Sequence, residues 1–116
     1  MEIREDIHDG VAVLAVTGRL SSGPEVAEFQ DHIKKLAQRD LYNVVVDFSD
    51  VQWFGSAMLG VMTASLAILR KGGGDMRLTG VTSKIESILK VTRLTDVFKA
   101  LSSVEQAVAS FEAKSA

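Results

Sequence analysis

Few residues in this chain can do chemistry, and the best placed of them is Ser56. It follows Val44-Val45-Val46-Asp47-Phe48-Ser49-Asp50-Val51-Gln52-Trp53-Phe54-Gly55 and opens an apolar run that continues to Arg70. A hydroxyl at a helix start can accept from one of the first backbone N–H groups, which have no intrahelical acceptor. It can equally be a modification site. A phosphoryl group there adds roughly 1.5 to 2 negative charges, which a helix N-terminus tolerates and a docked partner does not. The residues alone leave both uses open.

The other reactive side chains form no catalytic group. Asp47 ends a predicted strand, where open α/β sheets place their sites, and Asp50 follows in a predicted loop. Either acid can instead bond backbone N–H groups and shape that loop. His8 lies beside a turn, and His32 sits near Phe29 and Ile33 as a boundary residue of a helix. Neither histidine completes a serine-histidine-acid set, and there is no cysteine. No catalytic residue, metal or cofactor is therefore expected, and the chain is not read as an enzyme. Gly72-Gly73-Gly74-Asp75 lacks the Gly-x-x-x-x-Gly-Lys-Ser/Thr pattern of a phosphate loop and is read as a helix end. Trp53 and Phe54 are expected to anchor the loop by burying apolar area.

These residues need a frame. Glu2 to His8 reads as an edge strand, Asp9-Gly10 as a hairpin turn, and Val11 to Thr17 as a buried strand ending at Gly18. A loop through Pro24 leads to a helix capped by Ser22 or Gly23, with Val26, Phe29, Ile33, Leu36 and Ala37 on one face. Tyr42 to Phe48 is the central strand. In the next helix, Ser56, Gly60, Thr63, Ala67 and Arg70 form an outward stripe of small or polar residues. Ala57, Met58, Val61, Met62, Ala64, Ile68 and Leu69 face the sheet, with Leu59 and Leu66 at the margin. Met76 to Gly80 is a strand, and Ser83 with Glu86 suggests a capping box for a short helix. A weak strand includes Val97 and Phe98, and Ser102 with Glu105 opens a last helix bearing Val104, Ala107, Val108 and Phe111.

The order predicts an α/β domain spanning 1–116, with a mixed sheet of four or five strands and about four helices mainly on one face. At 116 residues and 47% hydrophobic content, one core is expected. A net charge of −2 with scattered basic residues argues against nucleic acid. The start lacks a basic leader before an apolar stretch, and the run from Ala57 to Leu69 is far short of the roughly 20 residues that span a bilayer. No direct membrane insertion and a cytoplasmic location are the expectations.

Gly18-Arg19-Leu20, the Val44 to Val51 segment and Phe54-Gly55-Ser56-Ala57-Met58-Leu59-Gly60 together resemble the STAS domain of bacterial anti-sigma factor antagonists. The resemblance covers nearly the whole chain. It implies a protein-binding module that takes an anti-sigma factor or related serine protein kinase as partner and is released by phosphorylation. The family segment Asp-Ser-Ser/Thr-Gly-Leu-Gly falls on Gly55 to Gly60, which gives Ser56 the phosphoacceptor position. Gly55 stands where the family has an acid, Met58 where it has a glycine, and Ser21 where the first loop carries an aspartate. The implied contact face comprises Arg19, Leu20, Ser21, Ser22, Gly55, Ser56, Gly60, Thr63 and Ala67. A second reading is a scaffold subunit without a phosphorylation cycle, in a signalling or lipid-transport complex. A homo-oligomer or a larger multiprotein complex stays open.

Overall fold

The computed structural model describes residues 2–20 and 23–115. Its elements run β1 (Glu2–His8), β2 (Val11–Leu20), α1 (Gly23–Gln38), β3 (Asn43–Phe54), α2 (Ser56–Lys71), β4 (Asp75–Thr79), α3 (Ser83–Val91), β5 (Lys99–Ala100) and α4 (Val104–Ser115). The sheet is mixed and ordered β1-β2-β3-β4-β5. β1 and β2 form an antiparallel hairpin, and the other neighbouring pairs are parallel. Asp9 at φ 52° and Gly10 at φ 79° make the turn, both left-handed as a tight hairpin requires.

Two cores lie on opposite faces of the sheet. Leu14, Val16, Val44, Val46, Phe48 and Leu78 pack with Phe29 and Ile33 of α1, Met58, Met62 and Leu69 of α2, and Ile85 and Leu89 of α3. Val11, Val13 and Val45 point the other way and are covered by Ala107, Val108 and Phe111 of α4. The triplet Val44, Val45 and Val46 is completely buried because both faces of β3 are roofed. Three helices thus share one face and α4 covers the second.

The second core also holds a buried cation. Arg77 on β4 is 3% exposed and donates to Asp75 Oδ2 at 2.6 Å and Ser110 Oγ at 3.1 Å. Its guanidinium lies 4.5 Å from the centroid of Phe111. Pairing of this kind is what makes a buried charge tolerable.

Several expected boundaries move. β2 continues through Leu20 and β3 through Phe54, so the expected loop after Phe48 is strand paired as Thr17↔Asp50, Gly18↔Val51, Arg19↔Trp53 and Leu20↔Phe54. The reason is a pair of register shifts, between Ala15 and Thr17 and between Gly18 and Arg19, each leaving one extra residue on β3. The cap of α2 is Gly55, and Ser56 is its first helical residue. The cap of α3 is Thr82, whose Oγ1 accepts from Ile85 N at 3.3 Å, in place of Ser83. At α4, Ser103 Oγ accepts from Gln106 N at 3.1 Å, the role expected of Ser102. Neighbouring hydroxyls offer the same cap chemistry one residue apart, which spacing alone does not separate. β5 falls at Lys99–Ala100, just after the expected Val97 and Phe98. The cap proposed at Ser22 lies outside the described residues.

The buried arc of α2 is also rotated. Met58, Leu59, Met62, Ser65, Leu66 and Leu69 are buried, while Val61, Ala64 and Ile68 are half-buried and Ala57 is exposed. Contacts with α1 pull Leu59 and Leu66 inward, since α2 packs on that helix as well as on the sheet. The glycine run ends α2 as expected, with Gly74 N donating to Leu69 O at 2.9 Å. A Cβ on Gly72 would come within 2.1 Å of the Tyr42 ring and one on Gly74 within 2.0 Å of the Tyr42 carbonyl oxygen, so the run also lets Tyr42 approach.

Ser65 Oγ is buried without a hydrogen-bond partner among the described residues. An unsatisfied buried hydroxyl is costly and alanine is the better helix former. Ser65→Ala is expected to stabilise the fold by about 1 kcal/mol, read as a higher midpoint in urea; a lower midpoint contradicts this account.

β1 is tied to α1 through Glu5, whose carboxylate meets His32 Nε2 at 2.8 Å and Arg39 Nη1 at 3.0 Å. The bond from His32, assisted by Arg39 against the opposing effect of burial, holds the Glu5 carboxyl below its ordinary value. A depressed folded-state value means that this stabilisation is fully present above the unfolded carboxylate value and disappears as pH falls through the folded one. Wild type should therefore lose more stability than Glu5→Gln on acidification below about pH 4 in denaturant titrations. Parallel pH profiles for the two proteins would remove Glu5 from the balance.

Candidate functional site

The N-terminus of α2 is delivered by the end of β3. Phe54 is 3% exposed and meets Phe48 edge-on, with centroids 5.6 Å apart and an interplanar angle of 90°. Gly55 N then donates to Leu20 O at 2.9 Å, which ties the α2 start to the end of β2. Gly55 has φ −98° and ψ 164° and offers no capping side chain. Ser56 follows, exposed, in a first turn that contains no acidic residue. The partial positive charge of this terminus is not offset by a carboxylate within its own first turn.

The stripe below Ser56 is smooth. Gly60, Thr63 and Ala67 are exposed with it, and Thr63 Oγ1 turns back to Leu59 O at 2.8 Å. A Cβ placed on Gly60 meets nothing within 4 Å outside its own helix. Met58 is completely buried, so its bulk enters the core and leaves the face unchanged.

Arg19 is exposed at the border of this face, but Leu20 is not a surface residue: its side chain is fully buried, and only its carbonyl serves the α2 start. The inward phase of β2 puts it in the core. Ser21 and Ser22 lie outside the described residues. Trp53, expected as a buried anchor, is 39% exposed. Arg19 lies 5.8 Å and Lys84 3.9 Å from the indole centroid. Lys84 is a member of this surface that sequence reasoning missed; the strand alternation that puts Phe54 inside puts Trp53 outside, and the signal is readable only once β3 is extended to Phe54.

Asp47 and both histidines have local partners, and Asp50 is exposed on β3. Asp47 Oδ1 accepts from Ser49 N at 2.9 Å and Ser49 Oγ at 2.6 Å, which shapes the bend in β3. His32 is held by Glu5, and His8 lies 3.0 Å from Asp6. The geometry brings Ser56, Gly60, Thr63 and Ala67 together on one exposed stripe of α2. Among the described residues, no helix is long and apolar enough to cross a membrane.

Residues 3–103 match the family model described as the Mlab STAS domain. The chain belongs to the STAS domain family. Its fold is similar to a crystal structure of a candidate anti-sigma factor antagonist from Thermotoga maritima, with 22% identity, TM-score 0.85, and 93% of this chain and 92% of that one covered. It is similar to a serine-to-glutamate variant of RsbS from Moorella thermoacetica at 14% identity and TM-score 0.82, covering 99% and 98% of the two chains. It is also similar to phosphorylated SpoIIAA of Bacillus at 12% identity and TM-score 0.74, covering 95% and 99%. At these identities the likeness is one of fold.

Gly60→Arg places a long cation on the stripe without displacing any atom of the core. Thermal unfolding of this variant should match the wild type closely, whereas capture of a protein partner on this face should weaken. A large loss of stability would mean that Gly60 is not open.

Proposed function

We propose that this chain is a regulatory protein-binding module that captures an anti-sigma factor or related serine protein kinase in the cytoplasm. In this reading the partner docks on Ser56, Gly60, Thr63 and Ala67 beside Arg19, and phosphorylation of Ser56 releases it. The observation that carries the reading is the exposed hydroxyl at the first position of α2, above a stripe of small residues and without an acid in the first turn. The chain itself catalyses nothing in this scheme.

The switch is electrostatic. A phosphoryl dianion on Ser56 gains roughly 0.3 to 1 kcal/mol from the helix N-terminus, so the isolated fold is retained. Within a docked interface the same dianion must be stripped of water beside partner groups that do not neutralise it. Folding and binding thus respond with opposite sign.

A second reading is favoured by Gly55. With no carboxylate beside the acceptor to orient the hydroxyl or a kinase, the module acts as a scaffold subunit of a signalling or transport complex with no phosphorylation cycle. The experiment separates the two. Phosphate transfer from a serine kinase of the anti-sigma factor class is measured on wild type and on Ser56→Ala, with calorimetry of binding to that kinase for each form. The switch predicts transfer that vanishes in Ser56→Ala and an affinity loss of about tenfold, about 1.4 kcal/mol, on phosphorylation. No transfer, with Ser56→Ala binding as wild type, favours the scaffold and reduces Ser56 to a structural residue of the helix start.

A further inference from the structure

We propose that Arg19, Trp53 and Lys84 form an anchor that receives a carboxylate-rich segment of the protein partner. The inference deepens the docking reading above by assigning the chemistry that the partner brings to this border of the face. Trp53 is the only tryptophan of the chain and lies 39% exposed. It stands directly across from Arg19 in the β2–β3 ladder, with the guanidinium 5.8 Å and the Lys84 ammonium 3.9 Å from its ring. Among the described residues, no carboxylate forms an ion pair with either cation.

The indole holds two long cationic side chains in place before any partner arrives. Ordering such chains is part of the cost of association, so a pre-placed pair favours binding. A carboxylate approaching them gains charge-assisted hydrogen bonds, while the exposed indole supplies the apolar area that marks strong interface positions. The partner is a protein rather than a nucleic acid. The chain carries a net charge of −2, and two cations at one indole are too few for the extended basic surface that a phosphate backbone requires. Continuity supports the same surface: Trp53 leads through Phe54 to Gly55, the cap from which the Ser56 stripe begins.

Because Trp53 is the single indole, tryptophan emission of the full chain reads this site alone. Short polyglutamate, its glutamine counterpart and a thymidine oligonucleotide of equal charge are titrated at low salt. Polyglutamate should shift the emission saturably, lose its effect at high salt, and bind about tenfold more weakly to Arg19→Glu/Lys84→Glu. The milder Arg19→Gln/Lys84→Gln pair should weaken it in the same direction and serves if charge reversal unfolds the chain, as judged by circular dichroism. No shift with polyglutamate, an equal shift with the glutamine peptide, or tighter binding of the oligonucleotide overturns the proposal. None of these readouts needs the native partner or Ser56. A negative titration alongside weakened partner capture by Gly60→Arg therefore removes this anchor and keeps the docking face, and the converse pattern does the reverse.

Discussion

Everything at the α2 start depends on the phase of β3. Along β2 and β3 the pairing slips twice, and each slip adds one residue to β3. One bulge alone would invert every side chain beyond it, because strand side chains alternate with a period of two. Two bulges restore the phase, so Phe54 returns to the same core as Val46 and Phe48. The paired residue Leu20 is brought into that core too, and Trp53 and Arg19 are left outside. The bond from Gly55 N to Leu20 O then fixes where α2 begins. A one-residue error in this ribbon would bury the indole and expose Phe54, and Ser56 would leave a different surface.

The local chemistry of that surface follows from what the helix start lacks. A glycine cap gives the backbone no side-chain acceptor, and no acid lies in the first turn. The site is thus receptive to negative charge, and the exposed residues along the stripe below its hydroxyl, Gly60, Thr63 and Ala67, are small. In the proposed function, such a stripe would serve recognition of another protein surface, with area contributed by contact and control by a change of charge at Ser56. Several carboxylates serve the fold: Asp47 holds the Ser49 bend, Glu5 meets His32 and Arg39, and Asp75 meets Arg77.

The sequence made the architecture legible where a pattern runs long. Hairpin, central strand, amphipathic α1, the glycine stop after α2 and the apolar face of α4 all come from periodicity or turn chemistry. It was less informative where two local choices have nearly equal energy. Thr82 and Ser83 compete for one cap, Ser102 and Ser103 for another, and spacing does not rank them. The extension of β3 was hidden because its second half, Ser49 to Trp53, has no clean alternation; the bulges that preserve its pairing also scramble its pattern. The exposure of Trp53 and its contact with Lys84 were hidden for the same reason, since their meeting depends on tertiary placement of α3 against that extended strand.

The position of Met58 shows how the face and the core are separated. Laid on the STAS pattern it replaces a glycine within the acceptor segment, two residues after Ser56, which on sequence looks like a change to the proposed docking surface. In the fold it is wholly buried with Met62 and Leu69, so the substitution is absorbed by packing beneath the helix. Methionine suits that task because its unbranched chain fills irregular gaps. Gly55 differs: it lies at the cap itself, with backbone angles open to any residue, so its loss of an acid alters the electrostatics of the face directly. Of the two departures from the family segment within α2 and its cap, only the one at Gly55 therefore bears on whether Ser56 can be a kinase substrate, and the bulk of the one at Met58 bears on the core.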